Sequence, residues 1–409
     1  MKNILQIGRY TMFIKNLVEM NEEDEFRFFI IEEPDVLRKM KPFSSEMISQ
    51  IIESKYHDSE EYMDVVKAWS KKIKFDAVVP GFEYCVKAAN KAAQYLGLPR
   101  VGDKGARVFT NKILLRDLCE DIGIPQPRYQ EINSMNQLKL FFIGHPIIFK
   151  PATRHASIGV IKINRVEEIE SAYEETMHST ENVLVPDREI VHQYIAEDFI
   201  EGDEVSVECL VKNSEIVFFN ITLKDKFLGK YFVESGHIVP GQVSEAVKNK
   251  IKYYKEKIIE AAEVENGVLH SEWILKQEIP HLVECAARIP GDNISELITN
   301  SYGFNFRRTF IDMMLQNNNL NINFEHRSLT AVRFFYAEPG KLKEIKNLDI
   351  LNDEEHVVNW NISVKPGDQI NKFRNSWDRI GYFMVKANSY IELYEIMDKI
   401  TKKVVFEVV

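Results

Sequence analysis

The stretch Val268-Leu269-His270-Ser271-Glu272-Trp273-Ile274-Leu275-Lys276-Gln277-Glu278-Ile279-Pro280-His281-Leu282-Val283-Glu284-Cys285-Ala286-Ala287-Arg288 decides how this chain is read. Val268–Leu275 and His281–Ala286 read as two strands, joined by a polar turn at Gln277-Glu278-Ile279-Pro280. The midpoint of positions 272 and 284 is 278, within a residue of the turn's centre. The spacing therefore predicts Glu272 and Glu284 side by side across a hairpin. Like charges placed opposite each other destabilise a sheet unless something neutralises them. Close carboxylate oxygens suit Mg²⁺, which takes one or two carboxylates plus substrate phosphates. Arg288 follows four residues after Glu284. A rigid, permanently charged fork beside such a pair suits a transferring phosphoryl group or a carboxylate. Pro290-Gly291 then turns the chain into a helix near Ile294–Ile298.

Upstream, residues 1 to about 105 alternate strand and helix signals. Ile4–Ile7, Phe26–Ile31 and Ala77–Pro80 read as strands, and Met63–Lys71 and Glu83–Leu96 as helices, an α/β layout with a parallel sheet. Gly97-Leu98-Pro99 and Gly123-Ile124-Pro125 repeat one stop device, a left-handed glycine followed by proline. Thr110 is expected to cap the helix that runs through Cys119. From Pro146 to about Cys209 the strands are short and antiparallel in style. Residues 290–316 read as two helices split at Gly303. Beyond Leu329, strands at Ala331–Tyr336, Ile362–Val364 and Gly381–Lys386 precede a final helix, Tyr390–Thr401.

Composition narrows the function. Among 409 residues 45% are hydrophobic and 28% charged, a soluble globular balance with room for two or three domains. Acids outnumber bases 62 to 52, for a net charge of −10. That argues against nucleic acid or an anionic membrane as the main partner. No signal peptide and no membrane-spanning run are expected, and Cys85, Cys119, Cys209 and Cys285 form no CxxC pair. A cytoplasmic protein with reduced, buried thiols is the expectation.

The chain has no GxGxxG, GxxxxGK[ST], HExxH or GxSxG motif, so a nucleotide would need a dispersed site. Lys112, near a helix start, can join the helix N–H groups in holding an anion. Lys150 closes the apolar strand Ile147-Ile148-Phe149. The loop after it, Ala152-Thr153-Arg154-His155-Ala156-Ser157-Ile158-Gly159, can lay backbone N–H groups over phosphates, with Ser157 and Gly159 at its tip and His155 as a further donor. Glu197-Asp198-Phe199-Ile200-Glu201-Gly202-Asp203-Glu204 reads, by composition alone, as an acidic bend between strands. Glu234 and His237, in Glu234-Ser235-Gly236-His237-Ile238-Val239-Pro240, are candidates to gate or line a substrate pocket, and Asp292 is a further one.

In this order the motifs resemble the ATP-grasp superfamily, and especially its L-amino-acid ligases and related carboxylate–amine ligases. The resemblance covers nearly the whole chain. It implies an ATP-grasp fold: an N-terminal parallel-sheet domain over 1–105, an ATP-grasp domain over 106–328 with an antiparallel lid at about 130–208 and a metal hairpin at 266–290, and a strand-rich subdomain over 329–409. It implies that Lys112 and Lys150 hold ATP, that Glu197, Phe199 and Ile200 meet adenine, and that Glu204 binds ribose. Glu272 and Glu284 would hold Mg²⁺ or Mn²⁺, and Arg288 would be catalytic. The phosphate loop has a single glycine, Gly159, and Ala286 stands where many relatives carry asparagine. The latter is similar to the amino-acid ligase pattern, in which Arg288 follows.

The implied reaction phosphorylates a carboxylate to an acyl phosphate, which an amine then attacks, releasing ADP and phosphate. The partners implied are small carboxylates and amines, amino acids first among them; a homodimer is left open. Two rival readings are a biotin carboxylase-like or purine-pathway carboxylation, supported by the closing strands, and a non-catalytic ATP-binding protein.

Overall fold

The computed structural model describes residues 1–19, 25–181, 184–227 and 233–409. Consecutive apolar residues in Lys2–Ile7, Phe26–Glu32 and Ala77–Pro80 leave no polar face, which suits a parallel sheet covered on both sides. Such a sheet forms, with strand order Ile48–Glu53, Phe26–Glu32, Lys2–Ile7, Ala77–Pro80. Leu5, Phe29, Ile31 and Val78 pack under the helices Tyr62–Ser70 and Val86–Leu96. Ile4, Phe28, Ile30 and Val79 face the other way, toward Thr11–Glu19 and the helices Ile294–Tyr302 and Phe306–Met314. At the carboxyl edge two turns nearly touch. A Cβ on Gly81 would lie 2.1 Å from the Gly8 carbonyl oxygen, so this crossing requires glycine.

Four short antiparallel strands form the lid, in the order Tyr129–Glu131, Tyr194–Asp198, Ile147–Pro151, Ile161–Ile163. The lid sheet ends at Asp198, not near residue 208. The alternation that starts at Asp203 runs on through buried Cys209, Leu210 and Val211, and Asp203–Lys212 joins the central sheet instead.

That sheet has eight antiparallel strands: Ile279–Ala286, Gly267–Lys276, Asp203–Lys212, Glu215–Lys226, Glu234–Val239, Leu329–Phe335, Gly381–Ala387, Val357–Ile362. It does not stop at residue 328, because the strands of the 329–409 region extend it. One of them is Val357–Ile362, so the strand expected at Ile362–Val364 ends where it was expected to start. The helix Glu245–Ala261 covers one face. Helix Lys112–Asp121 is capped by Asn111, whose side chain accepts the N–H groups of Ile113 and Leu114. Thr110 is not the cap; its hydroxyl donates back to the Ala106 carbonyl. Among the described residues no helix is long and apolar enough to cross a membrane.

Candidate active site

Glu272 and Glu284 do stand opposite each other, for a reason the spacing did not reveal. The turn has two residues, Gln277 and Glu278, both with positive φ (51° and 59°), as a tight hairpin of the primed type requires. With Lys276 opposite Ile279, that turn alone would set Glu272 against Val283. A bulge between Glu272 and Trp273 shifts the register, so that Glu272 pairs with Glu284. Bulges of this kind often re-aim a side chain beside a site. The bulge is held by Arg116, fully buried, whose guanidinium donates to the carbonyls of Leu282 (3.0 Å) and Val283 (2.7 Å) and to Glu197 (3.0 Å). Arg116 was not anticipated. It lies one helical turn after Lys112, and that i, i+4 spacing was the available signal.

Lid, hinge and hairpin line one cavity of about 1270 Å³, which takes in every candidate residue except Gly159. The Lys150 ammonium lies 2.6 Å from Glu197. Burial alone would raise the Glu197 carboxyl, but Arg116 and then Lys150 outweigh it and hold it at about 2. Both Glu197 oxygens are thereby engaged by protein cations. Lys112 lies 3.1 Å from Glu284 and donates to the Arg154 carbonyl at 2.7 Å. Burial works against its charge, yet Glu284 and Glu83 keep it above its usual value.

The loop after Lys150 turns through Ala156 and Ser157, both at φ 58°, and Gly159 at φ 73°. A Cβ on Gly159 would lie 2.4 Å from the Ser179 hydroxyl. His155 sits in this loop. Burial, helped by the nearby charges of Arg288 and Lys112, drives its imidazole down to about 3, so it is neutral at pH 7. Phe199 carries the Lys162 ammonium 3.6 Å above its ring, and Ile200 follows it on the cavity wall.

Across the cavity Lys224 sits among three carboxylates, 2.6 Å from Glu204, 3.2 Å from Glu234 and 2.5 Å from Glu272. Glu204 also pairs with Lys226. The three carboxylates gather within 4.8 Å of one another. Burial would raise Glu272, but Lys224 and His270 bring its carboxyl well below the usual range. The segment holding Glu234 and His237, candidates to gate or line the pocket, is the buried strand Glu234–Val239, and both side chains line the cavity. His237 Nε2 meets Asp292 at 3.1 Å. Arg379, from the loop before the strand Gly381–Ala387, donates to Asp292 (2.7 Å) and Glu234 (2.8 Å). Arg288 lies 3.5 Å from Glu83, whose carboxyl burial pushes up. Lys224, Glu83 and Arg379 had no local signal; long-range strand pairing brings them in.

Glu272 and Glu284 offer carboxylate oxygens, the ligand type of a hard divalent cation, and His270 Nε2 lies 3.7 Å from Glu272. Carboxylates of this kind fit a hard divalent cation such as Mg²⁺ or Mn²⁺.

Residues 143–296 match the ATP-grasp domain family, and residues 333–409 match the L-amino acid ligase C-terminal domain 2. Alanine–anticapsin ligase of Bacillus subtilis strain 168 is 25% identical over 308 residues, covering 71% of this chain and 65% of that protein. D-alanine–D-alanine ligase of Thermosipho africanus is 26% identical over 240 residues, covering 54% of this chain and 61% of that protein. The chain thus spans somewhat less than two thirds of these relatives' length. Among solved structures, an L-amino acid ligase from Bacillus licheniformis superposes with a TM-score of 0.82 at 19% identity, covering 100% of this chain and 99% of that one. A phosphoribosylglycinamide synthetase from Anaerococcus prevotii superposes at 0.70 with 21% identity, over the full length of both chains. The chain thus has the ATP-grasp fold, with an ATP-grasp domain matched over residues 143–296 and an L-amino acid ligase C-terminal domain 2 matched over residues 333–409.

Proposed function

We propose that this protein is an ATP-dependent carboxylate–amine ligase that joins amino acids through an amide or peptide bond. The observation that carries this reading is the convergence of Lys112, Lys150, Glu272, Glu284 and Arg288 on one cavity. Lys112 and Lys150 place compact positive charge where phosphate oxygens would lie. The loop 152–159 covers the phosphates from the lid, with Ser157 and Gly159 offering backbone N–H groups. Phe199 and Ile200 face adenine, Glu204 takes the ribose, and Glu197 orients Lys150 and Arg116 rather than the base itself.

Glu272 and Glu284 hold the divalent cation, Mg²⁺ in preference to Mn²⁺, which when bound neutralises phosphate charge. Arg288 aims a guanidinium at the negative charge that builds as the γ-phosphoryl group moves to the substrate carboxylate. The same charge then stabilises the tetrahedral adduct formed when the amine attacks the acyl phosphate. The carbon–nitrogen bond forms as the amine gives up a proton, the bond from the carbonyl carbon to the phosphate oxygen breaks, and ADP and phosphate leave. His155, neutral at pH 7, positions substrate without adding charge. Glu234, with His237 and Asp292 beside it, forms the wall that meets the substrate ammonium. A cytoplasmic setting suits four buried, unbridged cysteines.

The test is a panel of amino acids, singly and in pairs, read by ADP release and product mass. Amine-dependent ADP release with an amide product is expected. Bicarbonate-dependent turnover would replace this reading with carboxylation, and nucleotide binding without turnover would reduce the protein to an ATP binder.

A further inference from the structure

The cavity continues past the nucleotide machinery to the carboxyl edge of the N-terminal sheet. There Arg9, Lys15 and Lys41 line it, joined by Arg307 from the helix Phe306–Met314. Nothing in the proposed ligase chemistry uses these four cations. Arg9 is 5% exposed and Arg307 2%. In each the buried Nε has no hydrogen-bond partner.

The remaining donors are only partly engaged. Arg9 gives one Nη2 bond to the Lys41 carbonyl at 2.8 Å. Arg307 reaches Glu296 at 2.5 Å and the Tyr10 hydroxyl at 3.4 Å. Glu32, the carboxylate closest in charge to Arg9, spends its oxygens on the Arg9 backbone N–H, Tyr56 and Glu33. Burial also raises its carboxyl, so it compensates the guanidinium poorly. Lys15 and Lys41 are exposed and form no ion pair among the described residues. Glu296 and Glu83 line this end of the cavity among the described residues; Arg307 holds Glu296, and Arg288 lies 3.5 Å from Glu83.

A buried cation with spare donors and an incomplete counter-charge is costly unless an anion completes it. Guanidinium forks match planar and tetrahedral oxyanions with paired hydrogen bonds. We propose that this end of the cavity is an anion subsite for an oxyanion carried far from the reacting group of a substrate: the side-chain carboxylate of an acidic amino acid, or a phosphate ester. That the anion belongs to a ligation substrate rests on the function proposed above; the preference of the subsite for a distal oxyanion does not.

The experiment separates the two. L-glutamate, L-glutamine, O-phospho-L-serine and L-serine are titrated calorimetrically into the full chain with Mg²⁺ and a non-hydrolysable ATP analogue. At least one anionic probe should bind about 10-fold more tightly than its neutral counterpart, and which one does so distinguishes carboxylate from phosphate. Arg9→Met should erase the preference. Because Arg9 is buried and its variant could misfold, Lys15→Met/Lys41→Met, both at exposed positions, is the companion. It should keep the fold by circular dichroism and cut the preference at least about threefold. Equal affinity for charged and neutral probes, no measurable binding of either anion, or an undiminished preference in the double lysine variant would overturn the subsite. In a parallel assay with ATP in place of the analogue, absence of ADP release with these amino acids would count against ligation and leave the binding result standing.

Discussion

Glu272 and Glu284 face each other directly across the acidic hairpin, yet separate lysines hold them, Lys224 at 2.5 Å from Glu272 and Lys112 at 3.1 Å from Glu284. Two adjacent carboxylates that each need a cation make a natural divalent site. Glu272→Gln and Glu284→Gln should each remove the magnesium dependence of nucleotide binding and abolish turnover. Calorimetric titration of ATP with and without Mg²⁺ reads this directly. A variant that still gains affinity from Mg²⁺ would take its residue out of the metal site.

The two lysines should be separable from each other. Lys112→Ala and Lys150→Ala each lose a charged contact to phosphate, and nucleotide affinity should fall about 10-fold or more in each. Lys150→Ala leaves Arg116 still paired with Glu197, so its fold should persist. Wild-type ATP affinity in both variants would sink the assignment.

Glu197 makes the hinge sensitive to acid. Its folded carboxyl titrates at about 2, below the ordinary value of 4.5. A depressed carboxyl stabilises the fold fully above its unfolded value, and that contribution is lost as pH falls from about 4.5 through about 2. Glu197→Gln leaves Arg116 and Lys150 buried without a counter-charge, so it should cost about 3 kcal/mol at pH 7. The gap from wild type should narrow steadily below pH 4.5. Urea denaturation at several pH values measures both curves. Parallel curves down to pH 2.5 would show that the Arg116–Glu197–Lys150 cluster does not carry this part of the stability.

Much of this site was readable because it is built on short-range geometry. The strand before Lys150, the helix start at Lys112 and the symmetry of Glu272 and Glu284 about residue 278 are all local patterns. The hairpin was read correctly although its turn is shorter than expected, because the bulge at Val283 adds back the residue that the two-residue turn removes. Local pattern could not supply Lys224 or Arg379. Lys224 meets its three carboxylates because the consecutive strands Asp203–Lys212, Glu215–Lys226 and Glu234–Val239 pair in turn and the later strand Gly267–Lys276 pairs beside them in the central sheet. Arg379 arrives from the far end of the chain, on a loop fixed by the pairing of Gly381–Ala387 with Leu329–Phe335. The strand character of Glu234–Val239 was hidden by Ser235-Gly236, which read as loop until pairing on both sides was seen.

Arg379 ties the loop before the closing strand Gly381–Ala387 to the acidic wall proposed to meet the substrate. It bridges Glu234 and Asp292, and without it both carboxylates lose a charge-assisted hydrogen bond. Arg379→Met keeps an apolar stem of similar length and removes the guanidinium, whose carbon lies 3.8 Å over the Phe334 ring. The KM for the amino-acid substrates should rise about 10-fold while the KM for ATP stays within about twofold. Steady-state kinetics with each substrate varied in turn decide it. An unchanged amino-acid KM would reduce Arg379 to a structural tie.

The proposed role of Arg288 tests the chemistry itself. The proposed route breaks the β–γ bond of ATP, so the nucleotide product should be ADP, whereas an adenylating ligase would give AMP and pyrophosphate. A guanidinium matters most where negative charge develops in the transition state, and less in the ground state. Arg288→Ala should therefore lower turnover roughly 10²–10³-fold, by analogy with losing an oxyanion donor, with a smaller effect on ATP binding. It also leaves Glu83, which Arg288 approaches at 3.5 Å, without that neighbour. Burial already raises the Glu83 carboxyl, and in the variant it should protonate more readily, which softens the structural cost. Chromatography of the nucleotide products, with the amine present and absent, gives both readouts in one assay. AMP as the product, or full turnover in Arg288→Ala, would overturn the mechanism.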